Sequence, residues 1–169
     1  MADIKAIKGL DNVTYNLRDD YSKWGGENLL YNIPTSKAPG SYETARLPLC
    51  ENLVAGERYT IQLWFTNSGR TAVAPYVGGG SLIINGWVGI NNNSTYYKST
   101  FIASSNQASA AQFINVYAST TSGAQGSATL SGTFTLNKWK LEKGDKATDW
   151  SPCYKDIFTV SGTQLQVNL

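Results

Sequence analysis

The sequence predicts an all-β protein, and three observations carry that prediction. Charged residues make up only 15% of the chain against 41% hydrophobic, where about 25% charged is usual. The surface must therefore be built largely from Ser, Thr, Asn, Gln and Gly. Residues 59–66 alternate without a break, with Tyr59, Ile61, Leu63 and Phe65 on one side and Thr60, Gln62, Trp64 and Thr66 on the other. That is the period-two pattern of a half-buried strand. Turn residues punctuate the chain at short intervals, in Asn67-Ser-Gly, Gly78-Gly-Gly, Asn91-Asn-Asn-Ser and Ser122-Gly-Ala-Gln-Gly, because Gly accepts positive φ and Asn and Ser bond their own backbone. About eight strands at that spacing read as an antiparallel β-sandwich of the jelly-roll kind.

The elements follow in order. Strand-like runs occupy residues 28–32, 41–50, 59–66, 71–77, 81–88, 95–103, 111–119 and 127–141. No segment has a convincing helical repeat, and residues 18–23 offer a single turn at most. A chain of 169 residues is long enough to bury one real core. Residues 1–26 read as an attachment or oligomerisation arm, with Trp24 as its anchor beside a Gly25-Gly26 hinge. Residues 27–152 form the sandwich. Residues 153–169 add a strand extension, alternating at 157–160 and again in Leu165-Gln-Val-Asn-Leu169. Neither end is long enough to fold alone, so neighbouring subunits are expected to hold both.

Composition excludes several functions. The net charge is +2, with 14 basic and 12 acidic residues, and no basic run carries the arginines that a nucleic-acid groove needs. No run of about 18 apolar residues is present to cross a membrane, and residues 1–12 lack the apolar core of a secretory signal. The chain has no histidine, which removes Ser-His-Asp, Cys-His and imidazole-metal chemistry. Every carboxylate lies at or before Glu57 or at or after Glu142. Glu43 and Glu142 are the pair that adjacent first and last strands would best bring together for glycoside hydrolysis, although solvated surface is the expected role of each. Gly78-Gly-Gly80 lacks the lysine and helix of a phosphate loop. No catalytic residue, metal or cofactor is expected. Cys50 and Cys153 are expected to be free, buried thiols, with a disulfide or a metal role as the alternative. The sequons at Asn12, Asn92 and Asn93 matter only in a eukaryotic secretory path.

What remains is recognition by rings and amides. A sugar needs a flat apolar ring for its C–H face and amides or hydroxyls for its OH groups. Alternation sets Trp64 opposite the core residues of its strand, with Gln62 and Thr66 on its own face, so Trp64 either stacks on a ligand or is covered by protein. Tyr76, Trp87, Tyr96 and Tyr97 lie near turns and are candidates to line a loop-end site, with packing as the plainer role. The candidate ligand residues are thus Gln62, Trp64, Tyr76, Trp87, Tyr96 and Tyr97. Trp139 and Leu141 alternate with Lys138, Lys140 and Glu142 and are expected in the core, while Trp150 plugs one end of the sandwich.

The segment Trp139-Lys-Leu-Glu-Lys-Gly-Asp-Lys-Ala-Thr-Asp-Trp-Ser-Pro152 resembles the closing signature of a jelly-roll family, K-L-E-x-G followed by A-T-x-W-S/T-P. Glu27-Asn-Leu-Leu-Tyr-Asn32 is similar to its opening N-L-L-x-N, and Tyr59-Thr-Ile-Gln-Leu-Trp-Phe65 to its central strand. Such modules resemble carbohydrate-binding modules and recur in phage tail, baseplate and fibre proteins. Lys8-Gly-Leu-Asp-Asn-Val-Thr-Tyr-Asn-Leu-Arg-Asp19 is similar to a short element that opens many phage structural proteins. The resemblance implies a phage virion accessory protein, a head fibre or tail component made in the host cytoplasm. It implies terminal segments docked on other virion proteins, a homo-oligomer with a trimer favoured, and adhesion to a cell-surface glycan. A freestanding or enzyme-appended carbohydrate-binding module is the alternative. Some relatives hold a structural calcium, for which Glu27, Glu43, Glu142 and Asp145 are the available carboxylates. The insertion Ile33-Pro-Thr-Ser-Lys-Ala-Pro-Gly40 departs from the family pattern.

Overall fold

The computed structural model describes residues 27–78, 82–110, 112–121 and 130–153, together with the backbone of two short strands, β1 (Ile7–Lys8) and β2 (Thr14–Tyr15), which pair antiparallel. The side chains of the 1–26 arm, the turn at residues 18–23, the turn at 122–126 and the extension beyond Cys153 lie outside the described residues. The remaining strands are β3 (Ser36–Lys37), β4 (Glu43–Pro48), β5 (Arg58–Ser68), β6 (Ala72–Val77), β7 (Leu82–Ile83), β8 (Val88–Gly89), β9 (Tyr96–Ile102), β10 (Phe113–Ser119) and β11 (Thr133–Lys143). They form two antiparallel sheets: β3-β4-β10-β6-β7 with β8 also on β6, and β11-β5-β9. The protein is an all-β sandwich. The run at 81–88 divides into β7 and β8, since Asn85 and Gly86 turn through positive φ.

The core lies between the sheets. Tyr59, Ile61, Leu63 and Phe65 of β5 pack with Tyr97 and Phe101 of β9 and with Phe134, Leu136, Trp139 and Leu141 of β11. Facing them are Ala45 and Leu47 of β4, Val73 and Val77 of β6, and Ile114, Val116 and Ala118 of β10. Strict alternation cannot put both Leu136 and Trp139 on one face. The β11–β5 register slips between Leu136 and Lys138, and the extra residue, Asn137, turns out to bond Thr66 Oγ1 at 3.1 Å. This bulge lets one eleven-residue strand keep its apolar side inward throughout. Where β11 begins, a Cβ on Gly132 would stand 1.7 Å from the Ser68 carbonyl oxygen, so only glycine fits that close approach.

Among the described residues one short helix, α1 (Ser105–Ala110), interrupts the strands. Its start is a reciprocal cap: the Gln107 amide N–H donates to Ser104 Oγ at 3.2 Å, and the Ser104 N–H donates to Gln107 Oε1 at 3.0 Å. The Ser-x-x-Gln spacing is the sequence signal for this capping box, too short to register as a helical repeat.

The motifs at the two ends of the domain are joined by one amide. Asn28 is fully buried and uses its whole side chain. Its Oδ1 accepts from the N–H groups of Leu30 and Leu141 at 3.0 and 3.1 Å. Its Nδ2 donates to the carbonyls of Trp139 and Ser151 at 3.1 and 3.0 Å. Trp139 Nε1 donates to the Tyr31 carbonyl at 2.7 Å, and Trp150 Nε1 to the Trp139 carbonyl at 3.2 Å. Cys50 and Cys153 form a disulfide in the same region. This corrects the expectation of free thiols: spacing alone could not reveal that chain entry and exit meet at one end of the sandwich.

Asn28→Ala takes the partner from the buried N–H groups of Leu30 and Leu141, each worth about 1–3 kcal/mol when unsatisfied, while the Trp139 carbonyl keeps its bond from Trp150 Nε1. Urea unfolding is expected to show a loss of about 3 kcal/mol or more. At exposed Asn52 the same change should stay within about 0.5 kcal/mol. Equal, small losses at both positions would contradict the role given to Asn28.

Candidate functional site

The sequence candidates divide among three places. Gln62, Trp64 and Tyr96 share the outer face of the β11-β5-β9 sheet, where Trp64 pairs with Tyr96 and Lys138 across the strands. Tyr76 and Trp87 lie on the outer face of the other sheet. Tyr97 faces neither outer surface; it is 4% exposed within the core, because odd-numbered positions of β9 point inward with Phe101. Its proximity to a turn was misleading, and strand parity decides its direction.

Gln62 is not available to a ligand. Its Nε2 donates to Glu142 Oε1 at 3.0 Å and to the Thr148 carbonyl at 2.9 Å, and its Oε1 accepts from the Tyr96 hydroxyl at 2.6 Å. These bonds belong to a buried polar group that straps residues 144–150 across the sheet. Lys140 Nζ donates to Thr148 Oγ1 at 2.7 Å and to the Asp149 carbonyl at 2.6 Å, and lies 3.5 Å from Glu142 Oε2. Glu142 accepts in addition from the Thr148 N–H at 2.9 Å and from the Thr148 hydroxyl. Burial pushes the Lys140 ammonium below the usual lysine range, opposed by the Glu142 carboxylate. The residues of the closing signature thus hold one another. Trp64, half-buried, packs on Tyr96 with ring centroids 5.3 Å apart, and Lys138 Nζ lies 5.2 Å over the Trp150 ring.

The outer face of the six-stranded sheet is built differently. On β10 the inward residues Ile114, Val116 and Ala118 alternate with Phe113, Asn115 and Tyr117. The β10–β4 register slips between Val116 and Tyr117, pairing Val116 with Ala45 and Tyr117 with Glu43. Thr44 is the extra residue, its hydroxyl bonded to the Val116 carbonyl at 2.9 Å. Without this bulge Glu43 and Arg46, three residues apart, would point to opposite faces. With it they form an ion pair at 2.8 Å beside Asn115 and Tyr117.

Four rings meet there. Tyr42 lies 4.9 Å from Tyr117 and 5.9 Å from Trp87, and Tyr76 lies 5.0 Å from Tyr117 and 6.5 Å from Trp87. Ala74 is the cross-strand partner of Tyr117, and its methyl leaves room above β6 for the rings. Beside the rings runs a polar row. Arg46 Nε donates to Glu43 Oε1 at 3.1 Å, the Tyr117 hydroxyl donates to Glu43 Oε2 at 3.2 Å, and Asn115 Nδ2 donates to the Tyr117 oxygen at 3.2 Å and to Glu43 Oε2 at 3.5 Å. The Arg46 guanidinium also lies 4.8 Å over the Phe113 ring. Asn115 is 2% exposed, yet its Oδ1 has no hydrogen-bond partner among the described residues.

Sequence reasoning missed Tyr42, Arg46, Phe113, Asn115 and Tyr117, and weighed Glu43 only as a catalytic or calcium carboxylate. The alternation in residues 113–119 was as regular as that of 59–66, and the same argument applied to it points Asn115 and Tyr117 outward. The bulge at Thr44 has no such signal. Glu43 and Glu142 lie on the outer faces of opposite sheets, so they cannot flank one scissile bond. Among the described residues no three His, Cys, Asp or Glu side chains gather as a metal site.

No protein-family model matches the chain, and no curated protein does. Solved structures that share part of its fold include the following two. The apo form of CBM1 from BiXyn10A is 18% identical, with a TM-score of 0.39 over 67% of this chain and 72% of its own. A structure from work on CBM4 structure and function is 16% identical, with a TM-score of 0.41 over 72% of this chain and 92% of its own. Both are likenesses of fold in part, and the functional reading rests on the side chains.

Burial is the chief cause that raises the Tyr117 hydroxyl above its usual range; the hydrogen bond with Asn115 lowers it and the Glu43 charge raises it. A pKa higher in the folded chain than in the unfolded one means that this group's stabilisation is intact below about pH 10 and disappears as pH rises through the folded value. In an alkaline titration followed by phenolate absorbance, Tyr117→Phe is expected to remove one late-ionising tyrosine. An unchanged late class would contradict the placement of Tyr117.

Proposed function

We propose that this chain is a non-catalytic carbohydrate-binding module whose ligand lies on the outer face of the six-stranded sheet. The observation that carries the proposal is the ring group Tyr42, Tyr76, Trp87 and Tyr117 set beside the Glu43–Arg46 ion pair. The partly exposed rings of Tyr42, Trp87 and Tyr117 offer stacking surface to the C–H face of a sugar, with Tyr76 buried beside them, and the adjoining Glu43 carboxylate and Arg46 guanidinium match its hydroxyls. Binding sites of this kind combine apolar walls with a few placed polar groups. The outer face of the other sheet offers Trp64 and Tyr96, but its polar groups are consumed by the strap.

The setting of the module is proposed from the sequence. The element at residues 8–19 and the closing signature support a phage virion accessory protein that presents the sandwich to host-surface glycans. In that reading its ends are held by other virion proteins or by sister chains in a trimer. A freestanding or enzyme-appended module would use the same ligand face.

Calorimetry against polysaccharides retained in affinity electrophoresis tests the site. Trp87→Ala and Tyr117→Ala are each expected to weaken binding about tenfold or more, as loss of a central aromatic anchor does, while Trp64→Ala leaves it unchanged. Loss at Trp64 with none at Trp87 or Tyr117 would transfer the site to the opposite sheet. Virion display is checked by immunogold labelling of purified particles, where an unlabelled particle would refute it.

A further inference from the structure

The geometry points to a self-catalysed cross-link in which the Lys140 amine attacks the Gln62 side-chain amide, joining β11 to β5 through an isopeptide bond and releasing ammonia. The reaction is independent of what the module binds. Lys140 and Gln62 are direct partners in the β11–β5 register, so their side chains leave the outer face of the sheet side by side. Both reach one carboxylate. Glu142 Oε1 accepts from Gln62 Nε2 at 3.0 Å, and Lys140 Nζ lies 3.5 Å from Glu142 Oε2. All three side chains are buried, which keeps water from competing with the amine.

The parts of an acyl transfer meet here. Burial favours the uncharged amine of Lys140, against the pull of the Glu142 charge. Passing one proton from Nζ to Glu142 makes an uncharged pair, and burial penalises such a pair less than isolated ions. The neutral amine keeps two N–H groups for Thr148 Oγ1 and the Asp149 carbonyl, and its lone pair is then free to attack. Gln62 Oε1 accepts from the Tyr96 hydroxyl at 2.6 Å, a donor placed where negative charge gathers during attack. The Nζ–Cδ bond forms and the Cδ–Nε2 bond breaks. Glu142 carries a proton from Nζ to Nε2, ammonia leaves and takes up the remaining proton as ammonium, and the carboxylate is restored. No oxidant, reductant or second substrate is consumed. Thr148 also donates its hydroxyl to Glu142, but an amine is the stronger nucleophile and forms the more durable bond. Glu142 is the catalytic residue, and Thr148 is a positioning residue for the amine.

The test is the mass of the intact chain, reduced and denatured. It is expected to fall short of the sequence mass by one ammonia, whereas Lys140→Arg and Glu142→Gln keep their full masses. A tryptic digest locates the bond: residues 59–70 should emerge joined to residues 139–143, uncut after Lys140. Full mass in the unaltered chain would overturn the proposal, and that measurement stands even where a variant fails to fold. So would an ammonia loss that persists in Lys140→Arg, or residues 59–70 joined instead to the Thr148-bearing peptide 147–155. Loss of ammonia from Glu142→Gln as complete as from the unaltered chain would contradict the part given to Glu142.

Discussion

Successive side chains on a strand leave on opposite faces, so a sheet that buries one face commits every second residue to the other. Both sheets here obey that constraint over most of their length, and both break it once. Asn137 shifts the parity of β11 so that Phe134, Leu136, Trp139 and Leu141 all reach the core. Thr44 shifts the parity of β4 so that Glu43 joins Arg46 on the outer surface. The first slip protects the interior, and the second assembles the polar row beside the rings. Bulges are known to re-aim side chains next to binding sites.

The two outer faces then differ in how their polar groups are used. Around Gln62, Lys140, Glu142 and Thr148 the donors and acceptors meet inside a buried group that fixes the 144–150 strap. Such a group costs less when complete than when any member is missing, and its work is architectural. Around Glu43, Asn115 and Tyr117 the bonds close on all sides but one, the Asn115 oxygen. Aromatic residues occur on both faces, so aromatics alone do not separate a ligand surface from packing. The strap that spends the polar groups of the β11-β5-β9 face does.

Much of the fold was legible in the sequence. Period-two alternation located β5, strand-like runs located β9, β10 and β11, glycine and asparagine marked the turns, and the inward direction of Trp139 and Leu141 followed from their charged neighbours. The resemblance at residues 27–32 and 139–152 acquires a physical meaning in Asn28, which ties both segments together. The site was less legible. Tyr76 and Trp87 were named from their closeness to turns, yet that criterion also selected Tyr97, which strand parity turns inward. Trp64 drew attention as a large outward ring, but a sequence does not say which outward face a later segment will cross. Bulges escape a periodicity argument because one inserted residue leaves the composition of both faces unchanged. The disulfide escaped because Cys50 and Cys153 are 103 residues apart, and only the folded chain brings them together.

The central claim is that the polar row and rings of the six-stranded sheet meet the ligand, and that the opposite face does not. Its most direct test is a ¹H–¹⁵N NMR titration of the intact chain with the smallest sugar it retains. The account predicts that the Trp87 indole N–H, the Asn115 side-chain amide and the backbone amides of residues 42–46 and 113–117 shift in proportion to occupancy, while the indole of Trp64 and the side-chain amide of Gln62 stay in place. Shifts confined to Gln62, Trp64 and Tyr96 would contradict it.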